Sequence, residues 1–384
     1  MTTHEETTPV LVGAGQISAR EPDTERTPIG LVAEAARAAA ADCGVTGVLG
    51  QIQSLTCLNI LAPSYSDAPS TLARHLGIDP GERFYTPIGG NMGQWLVGYY
   101  ADRIAAGGLD CILIAGGEAL ATQMRGKGAG LSGVLDTATG EGPRLLGDDR
   151  EPTNSAEQRH GLNLPIQIYP LFEQALRRRY GLDPAEHRRM LGEFYARFNA
   201  VAVDNPRAWR RDPLSAADIA ERSPKNRMVG APYTKHMNAL IAVDQAAALV
   251  MMSVAKARRL GIDPERWVYP LAAANGHDHW FVSQRADLSR SPAITACGER
   301  LAATSGLGID AIDHLDLYSC FPSAVQMARD ALGISVHDPR PLTVTGGLAY
   351  HGGPGNNYCT HAIAEIMNRI RADRSTTGLV SGVG

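Results

Sequence analysis

One pattern occurs twice in this chain of 384 residues and limits what the chain can fold into. A glycine-rich turn, a helix-forming stretch and an apolar run follow one another at 89–118 and again at 352–384. A turn that leads into a helix presents the free N–H groups of the first helical turn to whatever lies beside it. The repeat therefore predicts two related α/β halves, with two helix N-termini facing one candidate site.

The alternation of predicted elements supports this interpretation. Apolar runs and helical spacing distinguish strands from helices. The predicted strands lie near 9–15, 52–58, 109–115, 247–253, 267–273, 313–318, 342–345 and 377–381, and the predicted helices near 30–43, 67–76, 91–107 and 358–371. Between 118 and 230 the alternation stops, and glycine clusters and Arg-rich helices follow. We therefore expect a first half of 1–117 plus 231–256, an inserted loop domain at 118–230, and a second half at 257–384.

Composition excludes several classes of protein. Hydrophobic residues make up 44% and charged residues 20% of the chain, which is typical of a globular protein and not of a disordered or collagen-like one. No apolar run approaches the roughly 18 residues of a membrane span. The net charge of −4, without a basic stripe, gives no sign of nucleic-acid binding. Six scattered cysteines without a CxxC motif favour a reducing, cytoplasmic setting.

Four segments, in order along the chain, resemble the thiolase superfamily, above all its sterol-carrier-protein type and the acetyl-CoA acetyltransferase-like proteins. They are IAAGGLDCILIAGGEAL (104–120), PYTKHMNALIAVDQAAALVMMS (232–253), HLDLYSCFPSA (314–324) and TVTGGLAYHGGPGNN (343–357). The resemblance implies a five-layer αβαβα sandwich of two related halves, in which the inserted loop domain binds coenzyme A. It also implies an acyl-CoA thioester as substrate, no separate cofactor, and chemistry at a carbon–carbon bond.

The sequence departs from the family at the residue that carries the acyl group. Thiolases use a cysteine at the N-terminus of the first-half helix, where the helix dipole stabilises a thiolate. Gly90 falls on that position, or Asn91 if the match slips by one residue. In the second-half loop, Gly353 takes the position of a family histidine, and His351 lies two residues earlier. The usual acyl-cysteine is therefore not expected at this site.

Cys320 and His351 are the candidate acid–base residues that remain. Cys320 lies in a turn that matches a family active-site loop, and Tyr318 there replaces a family histidine. Tyr318 could donate a hydrogen bond to a carbonyl, and Asn91 could stabilise an oxyanion. The alternatives are an inert buried cysteine, a histidine that only stabilises its loop, and a tyrosine that only packs. The predicted substrate- or CoA-binding residues are Asn238, Tyr350, Gly90 and Gly353.

No metal site is expected, because His277 and His279 lack a third ligand at helical spacing. Two functions are compatible with the remaining residues. One is a thiolase-like acyl-CoA enzyme, an acyltransferase or a retro-aldol or Claisen lyase, that works without an acyl-cysteine. The other is a non-catalytic subunit or scaffold that binds CoA or acyl-CoA, since a site that has lost its usual reactive groups also fits that role. Gly90 argues against an ordinary thiolase.

The resemblance also bears on partners. Proteins with the thiolase fold usually dimerise through the strand near 83–88, so a homodimer is expected. A small acyl-CoA-binding protein with a zinc ribbon and an OB fold is a second partner that the resemblance allows. The second half ends at GLVSGVG without a strand that matches 247–253. The repeat therefore predicts that this strand is missing or is supplied from elsewhere.

Overall fold

A mixed six-stranded sheet forms the centre of the first half. The computed structural model describes residues 6–21, 23–125 and 142–384. The strands in these ranges are β1 (Pro9–Ser18), β2 (Ser54–Cys57), β3 (Glu82–Tyr85), β4 (Cys111–Ala119), β5 (Arg144–Leu145), β6 (Met228–Gly230), β7 (Tyr233–Thr234), β8 (Asp244–Ser253), β9 (His314–Asp316) and β10 (Gly378–Val380). The large sheet has the order β1-β8-β4-β2-β3-β5. β4 and β8 are buried along their whole length, which explains why both are nearly continuous apolar runs.

Helices pack on both faces of this sheet. The helices of the whole described part of the chain are α1 (Pro28–Asp42), α2 (Ala68–Leu76), α3 (Met92–Ala105), α4 (Leu120–Arg125), α5 (Ser155–Arg159), α6 (Pro165–Arg179), α7 (Pro184–Asp204), α8 (Ala216–Ala220), α9 (Val254–Arg259), α10 (Pro292–Ser305), α11 (Pro322–Ala331) and α12 (Tyr358–Ala372). Those packed on the sheet include α1, α2, α3 and α12. The four helices predicted from the sequence are confirmed as α1, α2, α3 and α12. No helix in the described part of the chain is long and apolar enough to cross a membrane.

Two glycines in β1 let α1 lie in close contact with the sheet. A Cβ atom on Gly13 would collide with the carbonyl oxygen of Ala39 and would lie 2.6 Å from Cys43 Sγ. A Cβ atom on Gly15 would collide with the carbonyl oxygen of Ala35. The backbone of the Ala-rich helix therefore packs directly on the backbone of the strand, at the density expected of a protein interior.

The second half contains, among the described residues, a parallel pair formed by β9 and β10. The prediction of a strand at 267–273 is wrong. That segment pairs with the large sheet only where Val268 bridges Leu11. The bridge lies next to the bulge in β1, where the register with β8 shifts between Leu11 and Gly13. Because β1 bends away at this point, the ladder does not continue.

The prediction of a strand at 342–345 is also wrong, because a buried carboxylate takes up the backbone N–H groups of this segment. Asp316 accepts hydrogen bonds from the N–H groups of Val344 and Thr345, at 3.0 and 3.3 Å, and from the hydroxyl of Tyr358 at 2.9 Å. Burial raises the pKa of Asp316, and these hydrogen bonds oppose the rise. The segment therefore forms a turn around one carboxylate instead of a ladder beside a strand.

The inserted lobe packs onto the second half. It contains α5 to α8, so the predicted helices are confirmed, and its strand β6 pairs with β7 just beyond residue 230. The glycine cluster at 126–133 lies outside the described residues. The buried carboxylate of Glu173 joins the two parts, because it bonds to His187 Nε2 at 2.8 Å, to the Tyr233 hydroxyl at 2.9 Å and to the Gln326 amide at 3.0 Å. The limits of the three domains stay a prediction.

We expect Gly13→Ala to destabilise the protein by about 2–3 kcal/mol, because the new methyl group has no space between β1 and α1. Urea unfolding followed by circular dichroism measures the change. Gly50→Ala is the matched control, because nothing lies within 4 Å of its Cβ position, and its stability should change by less than about 0.5 kcal/mol. Equal stabilities of the two variants would contradict the close packing.

Candidate active site

The N-terminal ends of α3 and α12 meet between the two halves. A Cβ atom on Gly93 would lie 2.6 Å from Thr360 Oγ1 and 3.1 Å from the Thr360 nitrogen. The thiol of Cys359, in the first turn of α12, donates a hydrogen bond to the carbonyl oxygen of Gly90 at 3.1 Å. The predicted pair of facing helix N-termini is confirmed, and both helices direct their free N–H groups towards this junction.

Tyr318 occupies the space in front of Gly90. It follows β9, is only 6% exposed, and its N–H donates to Ser381 Oγ at 2.9 Å. Its ring makes an edge contact with the ring of Tyr358, with 5.7 Å between the centroids. A Cβ atom on Gly90 would collide with the Tyr318 hydroxyl. A side chain can therefore not be accommodated at Gly90 while Tyr318 keeps this position.

The segment 381–384 borders the same space. A Cβ atom on Gly90 would lie 2.7 Å from the carbonyl oxygen of Val383, and one on Gly382 would lie 2.8 Å from Asn91 Cα. Asn91 is the N-cap residue of α3, but its side chain makes no capping hydrogen bond. The side-chain amide of Asn91 therefore does not cap its own helix.

Cys320 lies in the turn between β9 and α11 and is half-buried. Burial raises the pKa of its thiol to about 12, although a hydrogen bond from the Tyr169 hydroxyl acts in the opposite direction. The ring of Tyr169 stacks on the ring of the next residue, Phe321, with 4.4 Å between the centroids. Tyr169 belongs to α6, so the insertion supplies a side-chain hydrogen bond to Cys320.

The reactive groups around Gly90 are proton donors. Burial raises the pKa of the Tyr318 hydroxyl well above its usual value. Burial likewise raises the pKa of the Cys359 thiol. At pH 7 the hydroxyl and both thiols therefore keep their protons. This arrangement suits hydrogen bonding to an oxyanion and protonation of a carbanion better than attack by a thiolate.

His351 is fully buried and contacts Tyr358, whose ring also contacts Tyr318. Its ring contacts Tyr358 and His361, with 5.9 and 5.0 Å between the centroids. Its Nδ1 lies 3.5 Å from the carbonyl oxygen of Gly352, and its Nε2 has no partner among the described residues. Burial lowers the pKa of His351 to about 4. The structure therefore does not bring His351 into contact with Tyr318, and its catalytic role stays a prediction.

The other predicted binding residues lie in loops around the site. The hydroxyl of Tyr350 is buried and has no partner within the described ranges, and the same holds for the carboxamide oxygen of Asn238. A Cβ atom on Gly353 would lie 3.3 Å from Leu348, which packs in one apolar cluster with Tyr318. These residues surround the site without filling the space at Gly90, and their roles stay predictions.

Three residues at this junction were not predicted from the sequence. Cys359 follows a glycine-rich turn at the start of a helix, and that position could have indicated it. Asn356 Oδ1 accepts a hydrogen bond from the Gly89 N–H at 2.8 Å. Glu118 is fully buried at the end of β4. An acidic residue that ends a long apolar run was the signal for Glu118.

Comparison with known proteins identifies the family. No protein-family model matches the sequence, and no curated protein is significantly similar to it. Among solved structures, the chain is similar to a monomeric SCP2-thiolase like protein type 1 (STLP1) from Mycobacterium smegmatis, with 34% identity and a TM-score of 0.82 over 98% of this chain and 74% of that one. The chain belongs to the SCP2-thiolase-like proteins. The thiolase-like fold predicted from four segments is thereby confirmed.

The chain is also similar to the Ltp2–ChsH2(DUF35) aldolase. The identity is 20% and the TM-score 0.71, over 98% of this chain and 95% of that one. At this identity the similarity shows a shared fold alone.

We expect the free energy of unfolding to fall by about 2 kcal/mol between pH 7 and pH 5 because of His351. Its folded pKa of about 4 lies below the ordinary value of 6.5, so the unfolded chain binds more protons in this window. The stabilisation is complete above pH 6.5 and is lost as the pH falls towards 4. Urea unfolding as a function of pH measures it. His351→Gln should show a smaller pH dependence, whereas His337→Gln, in an exposed loop, should match the wild type. An unchanged pH dependence in His351→Gln would exclude this assignment.

Proposed function

We propose that this protein is a thiolase-like enzyme that makes or breaks a carbon–carbon bond next to a CoA thioester without forming an acyl-cysteine. The observation that carries the proposal is the Tyr318 hydroxyl in front of Gly90, where the family resemblance places the nucleophile. The nearest thiols, Cys320 and Cys359, are kept protonated by burial. Aldol-type chemistry requires only proton transfer and a site for an oxyanion, which these groups supply.

The proposed reaction on a 3-hydroxyacyl-CoA is a retro-aldol cleavage. A solvent water molecule takes the proton of the substrate hydroxyl, the C2–C3 bond breaks, C3 becomes a carbonyl carbon, and the electron pair passes to C2 as a thioester enolate. The Tyr318 hydroxyl and the Asn91 amide donate to the enolate oxygen. The Cys320 thiol protonates C2, and the water returns the proton of the substrate hydroxyl to the resulting thiolate. The reaction therefore consumes no proton overall, and the reverse sequence is an aldol addition.

The inserted loop domain is the proposed site for the CoA portion of the substrate. Its helix α6 contributes Tyr169, which contacts Cys320. The carboxamide oxygen of Asn238 and the hydroxyl of Tyr350 have no hydrogen-bond partner among the described residues. They are polar atoms in the surrounding loops that match the amides and carbonyls of a pantetheine chain. No cofactor other than the CoA thioester is part of the proposal.

A second candidate function is the binding of CoA or acyl-CoA without turnover. The observation that favours it is that Tyr318 and the segment 381–384 both border the space at Gly90 closely. The name of one structural neighbour pairs Ltp2 with ChsH2(DUF35). It supports a search for a small acyl-CoA-binding partner with a zinc ribbon and an OB fold, as the family resemblance suggested.

We expect the purified protein to cleave 3-hydroxyacyl-CoA to a shorter acyl-CoA and a carbonyl compound, detected by mass spectrometry. Tyr318→Phe should lower kcat by about 100-fold or more, because it removes one donor to the enolate oxygen. Cys320→Ala should lower kcat by a similar factor, because it removes the proton donor. Cys297→Ala is the matched control: this thiol on α10 is also half-buried but lies outside the site.

Three results would decide against the proposed reaction. Thiolysis of 3-ketoacyl-CoA with a stoichiometric acyl-enzyme would support an ordinary thiolase. Binding of CoA measured by calorimetry, without turnover of any acyl-CoA, would support the second function. Full activity in Tyr318→Phe and Cys320→Ala would exclude the roles assigned to these side chains.

We expect the isolated protein to be a monomer, in contrast to the homodimer that the resemblance implied. The outer edge of β3 is already covered, because Phe84 and Tyr85 pair with Arg144 and Leu145 of β5 in the same chain. A second copy could pair along this edge only after β5 moved away. Multi-angle light scattering at micromolar concentration should give a mass near 40.9 kDa, and a mass of twice this value would restore the homodimer.

All six cysteines are free thiols. This supports the cytoplasmic setting that is part of the proposal.

A further inference from the structure

Glu118 is a buried acid that the proposed reaction does not use. It lies near the end of β4 and has no exposed surface. Side chains two positions apart point to the same face of a strand. A Cβ atom on Gly116 would lie 2.9 Å from Asn357 Oδ1, just before α12. Glu118 therefore faces the junction between the two halves.

The two carboxyl oxygens of Glu118 have different surroundings. Oε1 accepts a hydrogen bond from the Leu61 N–H at 2.7 Å, and the Ala62 N–H also donates to the carboxyl group. Oε2 is buried and has no partner among the described residues. A Cβ atom on Gly355, which has a positive φ of 55°, would collide with Oε1 and lie 3.0 Å from Glu118 Cγ. The carboxyl group is thus packed directly beneath the turn that contains Gly355.

The surroundings of Glu118 favour its neutral form. Burial raises the pKa of Glu118 to about 8, although the two backbone hydrogen bonds lower it. The titratable side chains that face it are Cys57 on β2 and Tyr85 on β3, and burial raises the pKa of both. Asp244, on β8, is already paired with Arg26 at 3.0 Å. No cation in the described part of the chain compensates a charge on Glu118.

Asn356 connects this acid to the candidate active site. It follows Gly355, its Oδ1 accepts from the Gly89 N–H at 2.8 Å, and its Nδ2 donates to the carbonyl oxygen of Asn59 at 2.9 Å. Asn59 lies two residues before Leu61, the donor to Glu118. Glu118 therefore contacts the two segments that Asn356 joins: the segment after Asn59, through Leu61, and the turn at Gly355. The hydrogen bond from Asn356 to Gly89 starts from this turn.

We propose that Glu118 is a positioning residue: its neutral carboxyl group supports the turn at 355–356 and, through Asn356, holds the Gly89 amide beside Gly90. Ionisation of Glu118 places an uncompensated charge under this turn. The turn then loosens, and the Gly89–Asn91 segment loses its fixed geometry. The proposal rests on the proposed function only for its effect on turnover.

Infrared spectroscopy tests the protonation state, and hydrogen exchange tests the positioning. At pH 7 the difference spectrum between the wild type and Glu118→Gln should contain the carbonyl band of a buried carboxylic acid. At about pH 9, amide exchange in the peptide 86–92, measured by mass spectrometry, should be roughly tenfold faster in the wild type than in Glu118→Gln at the same pH. Asn356→Ala should exchange fast at both pH values while it keeps the infrared band.

Glu157→Gln is the matched control, because Glu157 is also a buried glutamate that accepts backbone hydrogen bonds, but its pKa is lowered. It should leave the infrared band and the exchange of 86–92 unchanged. Absence of the band in the wild type, or equal exchange of wild type and Glu118→Gln at about pH 9, would overturn the proposal. If the protein turns over no acyl-CoA, these two readouts still stand. If it does, kcat should decline near pH 8 in the wild type but not in Glu118→Gln.

Discussion

The contact between the N-terminal ends of α3 and α12 is the constraint on which the rest of the site depends. It is possible only because Gly93 has no side chain to separate the two helices. The buried Asp316 fixes the start of α12, since it accepts a hydrogen bond from Tyr358, the first residue of that helix. Tyr358 in turn packs against Tyr318, so the buried carboxylate contributes, through Tyr358, to the position of the hydroxyl in front of Gly90.

The inserted lobe also contacts the candidate active site, through side chains of its helix α6. The carboxylate of Glu173 accepts from Tyr233, whose hydroxyl also lies 2.8 Å from Ser323 Oγ in the first turn of α11. Tyr169, on the same helix as Glu173, contacts Cys320. A buried polar network with most of its bonds satisfied is rigid. A ligand that displaced α6 would therefore change the surroundings of Cys320, although it need not touch that residue.

The sequence predicts those parts of the fold that rest on local pattern. The helix starting near 91 and the apolar strand at 247–253 follow from spacing and apolar runs, and four motifs place the chain in its family. The strand predicted at 342–345 failed because its N–H groups bind Asp316, a contact across 28 residues that periodicity does not record. The fit between Tyr318 and Gly90 lies beyond sequence reasoning for the same reason. Neither Tyr318 nor Gly90 indicates this contact in the sequence, and only their proximity in the structure shows it.

The position of Cys359 shows why geometry alone does not make a nucleophile. It lies in the first turn of α12, where the helix dipole stabilises a negative charge by about 2 kcal/mol at most, or roughly 1.5 pKa units. Full burial opposes this with a shift of about 3–5 units, and the negative charge of Asp316 adds to it. Desolvation is the larger effect, so the thiol keeps its proton and donates it to the Gly90 carbonyl oxygen. At Cys320, too, burial raises the pKa of the thiol by more than the hydrogen bond from the Tyr169 hydroxyl lowers it. At this junction the neighbouring half buries the Cys359 thiol, so the N-terminus of α12 does not activate it.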